Sequence, residues 1–225
     1  AGSPLSHVAT PSTALRVGQV LCGRYELRER MGTGGMGEVF RALDRTRGED
    51  IALKVLLPHL LQHPVARERF AAEAKISITL AHPNIVNVFD LQREGDYSFL
   101  TMELLHGQPL RDLMNARAAS RSPFSPAEAV LLAQEIGDAL HYAHKQTVHR
   151  DVKPENIWVC DDSHAGARYK LMDFGLARLM SNSQMNQTRT AMGTAYYMAP
   201  EQLLTGIEVD GRADQYSLAV LLYEL

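Results

Sequence analysis

Cysteine is scarce in this chain: among 225 residues only Cys22 and Cys160 carry a thiol. Two cysteines cannot build a disulfide framework, so the fold must rest on its core, and a reducing compartment fits best. Long apolar runs are missing as well. None reaches the ~18–20 residues of a membrane span, so no span is expected within this chain. The first residues lack a basic start followed by an apolar core, and no secretory signal is expected. Neither sign of charge is in large excess, with 23 Lys and Arg against 26 Asp and Glu and a net charge of -3. That balance gives no case for nucleic-acid binding. The nine histidines are scattered without ligand spacing, which leaves no candidate zinc site. What is present is a 45% hydrophobic composition, enough for one large or two small cores.

Along the chain the composition shifts twice. Residues 1–24 read as a flexible leader, because Ser, Thr, Pro and Ala dominate its first part without periodicity, and order is expected near Tyr25. Strands are expected at Tyr25–Arg30, Glu38–Leu43, Ile51–Leu56, Val86–Leu91 and Tyr97–Glu103, with a helix at Val65–Leu80. Helical signals take over after a linker at Glu103–Gly107. Ser125-Pro126-Ala127-Glu128 has the form of a capping box with Pro at the first helical position. Apolar Leu132, Ile136, Leu140 and Ala143 follow with helical period. A last helix is expected from about Arg212, apolar on nearly all sides and therefore buried. These signals divide the chain into a β-rich lobe over 25–105 and a helical lobe over 106–225.

Three motifs carry chemistry. Gly32-Thr33-Gly34-Gly35-Met36-Gly37 has the G-x-G-x-x-G pattern, which is weak alone. In a dinucleotide-binding unit it would open a helix and be followed by an acidic residue ~20 positions on. Here Glu38-Val39-Phe40-Arg41 resumes a strand, and Lys54 stands on an apolar strand further along. A hairpin tip whose backbone amides approach phosphate, with a cation behind it, suits a triphosphate. The strongest signal is His149-Arg150-Asp151-Val152-Lys153-Pro154-Glu155-Asn156. Asp151 would accept or orient the proton of an attacking hydroxyl, Lys153 would offset phosphoryl charge, and Asn156 would offer a neutral oxygen to Mg²⁺. Asp173-Phe174-Gly175 lies 22 positions after Asp151 and would supply a second metal ligand. Ala199-Pro200-Glu201 closes the segment.

In this order and spacing the motifs resemble the protein kinase family, over about Tyr25 to Leu225. The resemblance implies an α+β, two-lobed fold with a small β-rich lobe and a helical lobe that stops after its central helix. It places Gly32, Gly34 and Gly37 over the ATP phosphates and Val39 and Ala52 above adenine. It makes Lys54 the phosphate-holding lysine and Glu73 its helix partner. Met102 becomes the gatekeeper, Glu103 and Leu105 the hinge, and Trp158 the adenine floor, where the family more often has Leu, Met or Phe. Mg²⁺ would be held by Asn156 and Asp173. Lys153 and Gly193-Thr194 resemble the Ser/Thr branch, and the stretch to Gln202 resembles bacterial members.

The implied activity is transfer of the γ-phosphoryl of Mg-ATP to protein Ser or Thr hydroxyls in signalling. Two other readings compete with it. A nucleotide-binding scaffold without turnover is disfavoured because Lys54, Glu73, Asp151, Asn156 and Asp173 are all present. A small-molecule kinase is disfavoured by Lys153 and the Gly193–Glu201 segment. Arg150 beside the catalytic aspartate calls for an anion, and phosphate on Thr188 or Thr190 would supply one. Thr194 would bond Asp151 and Lys153. Expected partners are protein substrates and a second copy for trans-autophosphorylation, not nucleic acid. The expected location is the cytoplasm, including the cytoplasmic part of a membrane-anchored protein. The resemblance further implies that a complete domain extends past Leu225.

Overall fold

Residues 15–34, 37–56, 64–161, 168–174, 196–204 and 206–225 are those the computed structural model describes. The first half builds one antiparallel sheet. Its strands are β1 (Val20–Leu21), β2 (Tyr25–Gly34), β3 (Gly37–Asp44), β4 (Glu49–Leu56), β5 (Val88–Glu94) and β6 (Tyr97–Glu103). They lie in the order β1-β2-β3-β4-β6-β5. Alternation along β3 and β4 puts Phe40, Ala42, Ile51 and Leu53 inside with Leu27 and Phe99. Helix α1 (Pro64–Thr79) crosses between β4 and β5 and buries Phe70 and Ala74 against Leu56, Val88 and Leu100.

Residues 104–106 carry the chain from β6 to β7 (Gly107–Pro109), which opens the second body. There α2 (Leu110–Ser120), α3 (Pro126–Ala143) and α4 (Gly211–Glu224) pack beside a small sheet of β7, β8 (Ile157–Cys160) and β9 (Tyr169–Leu171). Leu110, Met114, Leu132, Ile136, Leu140, Leu171, Leu218 and Leu221 belong to its core. Among the described residues no helix is long and apolar enough to cross a membrane.

Three differences from the sequence expectations have physical causes. Residues 15–24, counted in the flexible leader, are folded onto the sheet. Leu15 and Leu21 are buried, the Gly18 amide donates to the Leu27 carbonyl, and Val20 pairs with Glu26. A two-residue strand is too short to leave a periodic signal. Residues 1–14 lie outside the described part. Helix α2 has no counterpart among the expected elements, because only Leu110 and Met114 of it are buried, one helical turn apart. Helix α4 buries one stripe, Ala213, Asp214, Ser217, Leu218 and Leu221, while Tyr216 and Tyr223 are exposed. It is amphipathic rather than apolar all round.

The capping box is present as expected. Ser125 Oγ accepts from the Glu128 amide, and the Glu128 carboxylate accepts from the Ser125 amide. Arg117 on α2 adds a two-pronged contact at 2.5 and 3.0 Å. The Arg117 guanidinium, the Ser125 amide and the Ser125 hydroxyl together hold the Glu128 carboxyl at about 2. This lowered value means that Glu128 stabilises the fold above the ordinary carboxylate range and loses that contribution as pH falls toward about 2. Ser125→Ala should cost about 1 kcal/mol in chemical denaturation. Glu128→Gln should flatten the loss of melting temperature between neutral pH and pH ~3, because its pH-linked contribution is removed.

Candidate functional site

The glycine loop is a hairpin, as the strand on its far side requires. Gly34 pairs with Gly37, Gly32 with Val39, and Val39 in turn with Lys54 on β4. Residues 35–36 at the tip lie outside the described part. Gly37 is required sterically, because a Cβ there would stand 1.8 Å from the Val55 carbonyl oxygen. Register across β4 and β6 sets Ala52 opposite Met102 and Lys54 opposite Leu100. Ala52, Met102 and Leu105 form one buried cluster, with Trp158 and Met172 packed on it from the second body. The structure thus brings Ala52, Met102, Leu105 and Trp158, among the residues expected around adenine, to one place. The Trp158 indole N–H is buried there without a partner among the described residues.

The polar side of the cleft is built on the loop after α3. Lys153 Nζ reaches Asp151 Oδ2 at 2.8 Å, and Asn156 Nδ2 donates to the same oxygen at 2.9 Å. Asn156 Nδ2 also donates to the Asp151 carbonyl at 2.8 Å, so the amide orientation is settled and its Oδ1 faces away as an acceptor. His149 joins this loop to the strand end that carries Asp173. Its Nδ1 accepts from the Asp151 amide, which makes Nε2 the protonated nitrogen that donates to the Met172 carbonyl at 2.7 Å. The His149 ring stands edge-on to Phe174 at 4.6 Å between centroids. The Met172 amide bonds the Asn156 carbonyl at 2.9 Å.

Lys54 closes the site from above. Its Nζ is 2.6 Å from both carboxylate oxygens of Asp173. That contact was not foreseen, since the sequence reading gave Lys54 to Glu73. Glu73 is buried on α1, one turn before Ser77, whose hydroxyl donates to the Glu73 and Phe174 carbonyls. Burial alone would raise the Asp173 pKa, but the Lys54 ammonium outweighs it and holds the carboxyl below its ordinary value.

Sequence reasoning also missed what supports the loop. Asp214 is fully buried on α4. Its Oδ1 accepts from the Arg150 amide at 2.6 Å. Its Oδ2 accepts from the His149 amide and meets His144 Nε2, each at 2.8 Å. Gln202 donates to the Arg150 carbonyl at 2.8 Å. Arg150 and Asp173 both have positive φ, 67° and 62°, a conformation L side chains adopt rarely and that needs such outside support. The only sequence signal for Asp214 was a charged residue inside an apolar helical stripe. Thr188, Thr190 and Thr194 lie outside the described residues.

Hard oxygen donors at Asn156 and Asp173, beside a lysine, suit Mg²⁺, which takes few protein ligands and keeps waters and phosphate oxygens. Among the described residues no three His, Cys, Asp or Glu side chains gather as a metal cage. A buried apolar cluster therefore adjoins charged groups between a sheet and a helical body.

This arrangement defines a nucleotide-binding phosphotransfer fold, and the comparisons with known proteins specify which one. Residues 25–225 match the protein kinase domain, and the chain belongs to that family. It is 40% identical over 213 residues to a probable serine/threonine-protein kinase of Corynebacterium efficiens, an alignment covering 92% of this chain and 31% of the relative. It is 39% identical over 215 residues to the serine/threonine-protein kinase PknA of Mycobacterium tuberculosis, covering 93% of this chain and 48% of PknA. The chain therefore spans less than half the length of either relative. The crystal structure of the Mycobacterium tuberculosis PknI kinase domain superimposes with a TM-score of 0.75 at 32% identity, covering 94% of this chain and 77% of that one. The two-lobed kinase fold is thus shown.

The Lys54–Asp173 pair has a measurable consequence. The side chains are only 12% and 22% exposed, so removing the cation leaves a poorly solvated carboxylate, at a cost on the order of 2 kcal/mol. In nucleotide-free protein Lys54→Met should lower the melting temperature by roughly 4–8 °C at neutral pH. Because the folded Asp173 pKa is depressed, its stabilisation is present above the ordinary carboxylate value and is lost on acidification. The gap between wild type and Lys54→Met should accordingly narrow in melts below pH ~4.

Proposed function

We propose that this domain transfers the γ-phosphoryl group of ATP to Ser or Thr hydroxyls of protein substrates. The observation that carries this reading is the Asp151 carboxylate, held by Lys153 and Asn156 in a loop bonded to the segment that bears Asp173. Asp151 orients the attacking hydroxyl and takes its proton. Lys153, on the same carboxylate oxygen, stands where negative charge spreads over the transferring group. Lys54 holds the α- and β-phosphates, and buried Glu73 is assigned to orient that lysine once Asp173 turns to the metal. The glycine strand ends at Gly32, Gly34 and Gly37 offer backbone amides to phosphate. Val39, Ala52, Met102 and Trp158 enclose the base, while the backbone of Glu103 and Leu105 reads its polar edge. Mg²⁺, held by Asn156 and Asp173, would neutralise charge on the phosphates when bound. The transition state is loose and highly charged, so positioning and electrostatics supply most of the rate.

A finer part of the same proposal is control by phosphorylation at Thr188 or Thr190. What supports it is Arg150. Its Nε is buried without a partner among the described residues, and its Nη2 has only a 3.4 Å contact to the Val209 carbonyl. An under-satisfied guanidinium beside the catalytic aspartate favours an anion. Thr194 is assigned to the substrate side of Asp151. Transfer between two copies, a cytoplasmic location and a role in signalling complete this reading.

Asp151→Asn should raise the barrier by about 3–5 kcal/mol, read as loss of two to four orders of magnitude in turnover with Mg-ATP and a protein substrate. Turnover like wild type would remove Asp151 from the mechanism. Mass spectrometry after incubation with Mg-ATP should find phosphate on Thr188, Thr190 or both. A double alanine variant that keeps full activity would show that these threonines do not operate a switch.

A further inference from the structure

Trp158 is the only tryptophan among the 225 residues, and it stands where an indole is hard to satisfy. Strand β8 alternates. Ile157 and Val159 belong to the core of the helical body, so Trp158 leaves from the opposite face, toward the sheet. There it is partly buried against the cluster that holds Ala52, Met102 and Leu105. Its backbone is fixed on both sides, paired with Pro109 of β7 and with Lys170 of β9. The Lys170 side chain, a cross-strand neighbour on the same face, is itself held by Glu103 at 2.7 Å. Any adjustment at Trp158 therefore falls on its side-chain torsions.

The residues that would face a base are already covered by protein. Ala52 and Met102 are each 8% exposed and Leu105 is 7% exposed. The indole N–H, meanwhile, is buried with no acceptor among the described residues. An indole nitrogen is a donor only, and a buried donor without an acceptor raises the energy of the arrangement that holds it. The ring thus gains apolar contact with the cluster and leaves its one polar atom unpaired. A base entering beside it offers an aromatic face to stack on, and the base edge and ribose offer nitrogen and oxygen acceptors. An aliphatic side chain here would stack less well, but it has no N–H to leave unpaired and less bulk to move aside.

We propose that Trp158 sets nucleotide affinity by occupying the base site itself. The indole packs into the cluster of Ala52, Met102 and Leu105, and a nucleotide binds only as the ring swings aside to lie under the base, with its N–H bonded to an acceptor on the nucleotide. The inference rests on the phosphotransfer reading above and deepens it by making one residue of the base site an internal competitor of ATP. Two effects oppose each other. Displacing the ring weakens binding, because only the fraction of molecules with the ring aside is competent. Stacking, with the N–H satisfied, restores part of that loss. The net result is weaker binding than an aliphatic residue at the same position would give.

The test uses the full-length protein, Mg²⁺ and a non-hydrolysable ATP analogue, with dissociation constants from calorimetry. Transfer from Mg-ATP to a protein substrate is measured alongside. Wild type that neither binds the analogue nor transfers phosphate overturns the phosphotransfer reading and this inference together. With wild type binding, Trp158→Leu should bind the analogue about tenfold more tightly, as expected where about one molecule in ten has the ring aside. Equal or weaker binding by Trp158→Leu means that the ring is a fixed floor under the base, and overturns the proposal. A second measurement needs no variant. In wild type with labelled alanine methyl groups and protonated tryptophan in a deuterated background, nuclear Overhauser contact between the Trp158 ring and the Ala52 methyl should be present in free protein. That contact should vanish once the analogue binds, since the base then lies between the two. A contact that is absent from the free protein, or that survives binding, overturns the proposal even if Trp158→Leu does not fold.

Discussion

A carboxylate with no solvent exposure underlies the rest of the site. Asp214 could not stay charged inside the helical body without donors, because an isolated buried carboxylate is among the costliest groups a core can hold. It has three, and two of them are consecutive backbone amides, His149 and Arg150. Two amides aimed at one carboxylate fix the peptide planes on both sides of Arg150. That constraint explains how a non-glycine residue holds φ near 67° immediately before Asp151. The direction of the Asp151 side chain is therefore set by α4, an element over sixty positions later in the chain. The Arg150 carbonyl is bonded by Gln202, so the segment before α4 bears on the same peptide.

Both lysines of the cleft are paired with carboxylates in the described state. Lys54 is paired with Asp173 and Lys153 with Asp151, each within 2.8 Å. Both pairs are mostly hidden from solvent, where an unmatched charge would be expensive. In the proposed mechanism a triphosphate supplies new anions to the lysines and a divalent cation supplies a new partner to Asp173. The protein then trades internal pairs for ligand pairs rather than exposing bare charges. Such preorganisation lowers the reorganisation demanded as charge develops during transfer.

What was legible in the sequence was local. His149 to Asn156 spans eight residues, so spacing alone singled out Asp151, Lys153 and Asn156 as a group, and the bonds among them stay inside that span. The capping box at Ser125 was legible for the same reason. The hairpin at Gly32–Gly37 could be told from a strand-to-helix turn because Glu38-Val39-Phe40-Arg41 reads as strand. Contacts between distant segments left no such trace. Lys54 and Asp173 are 119 positions apart, and Arg111 and Glu224 are 113 apart. Asp214 looked like one polar residue in an apolar stripe, and only the packing of α4 on α3 and the loop shows that it is a ligand for amides. The strand β1 was invisible because two residues carry no period, and its stability comes from Leu15 and Leu21 reaching a core built mostly by later strands.

The short strand β9 shows how such distant contacts become one device. The Tyr169 amide bonds Glu135 on α3, and its carbonyl accepts from Asn84, which anchors the strand in the helical body. Lys170 reaches Glu103 at the end of β6 at 2.7 Å, and Glu103 also accepts from the Asn87 amide. The Leu171 backbone exchanges bonds with Asn84 and Val86, the segment that leads into β5 of the sheet. Met172 is bonded by both His149 and Asn156 of the catalytic loop. Asp173 ends the series on Lys54 of β4. Five consecutive residues thus contact α3, the end of β6, the approach to β5, the loop that carries Asp151, and β4. Alternation along an extended chain makes this feasible, because successive side chains leave in opposite directions while the backbone serves a third. A shift of one residue in β9 would break all five contacts at once, so the register of three residues couples Glu103 to the Lys54–Asp173 pair.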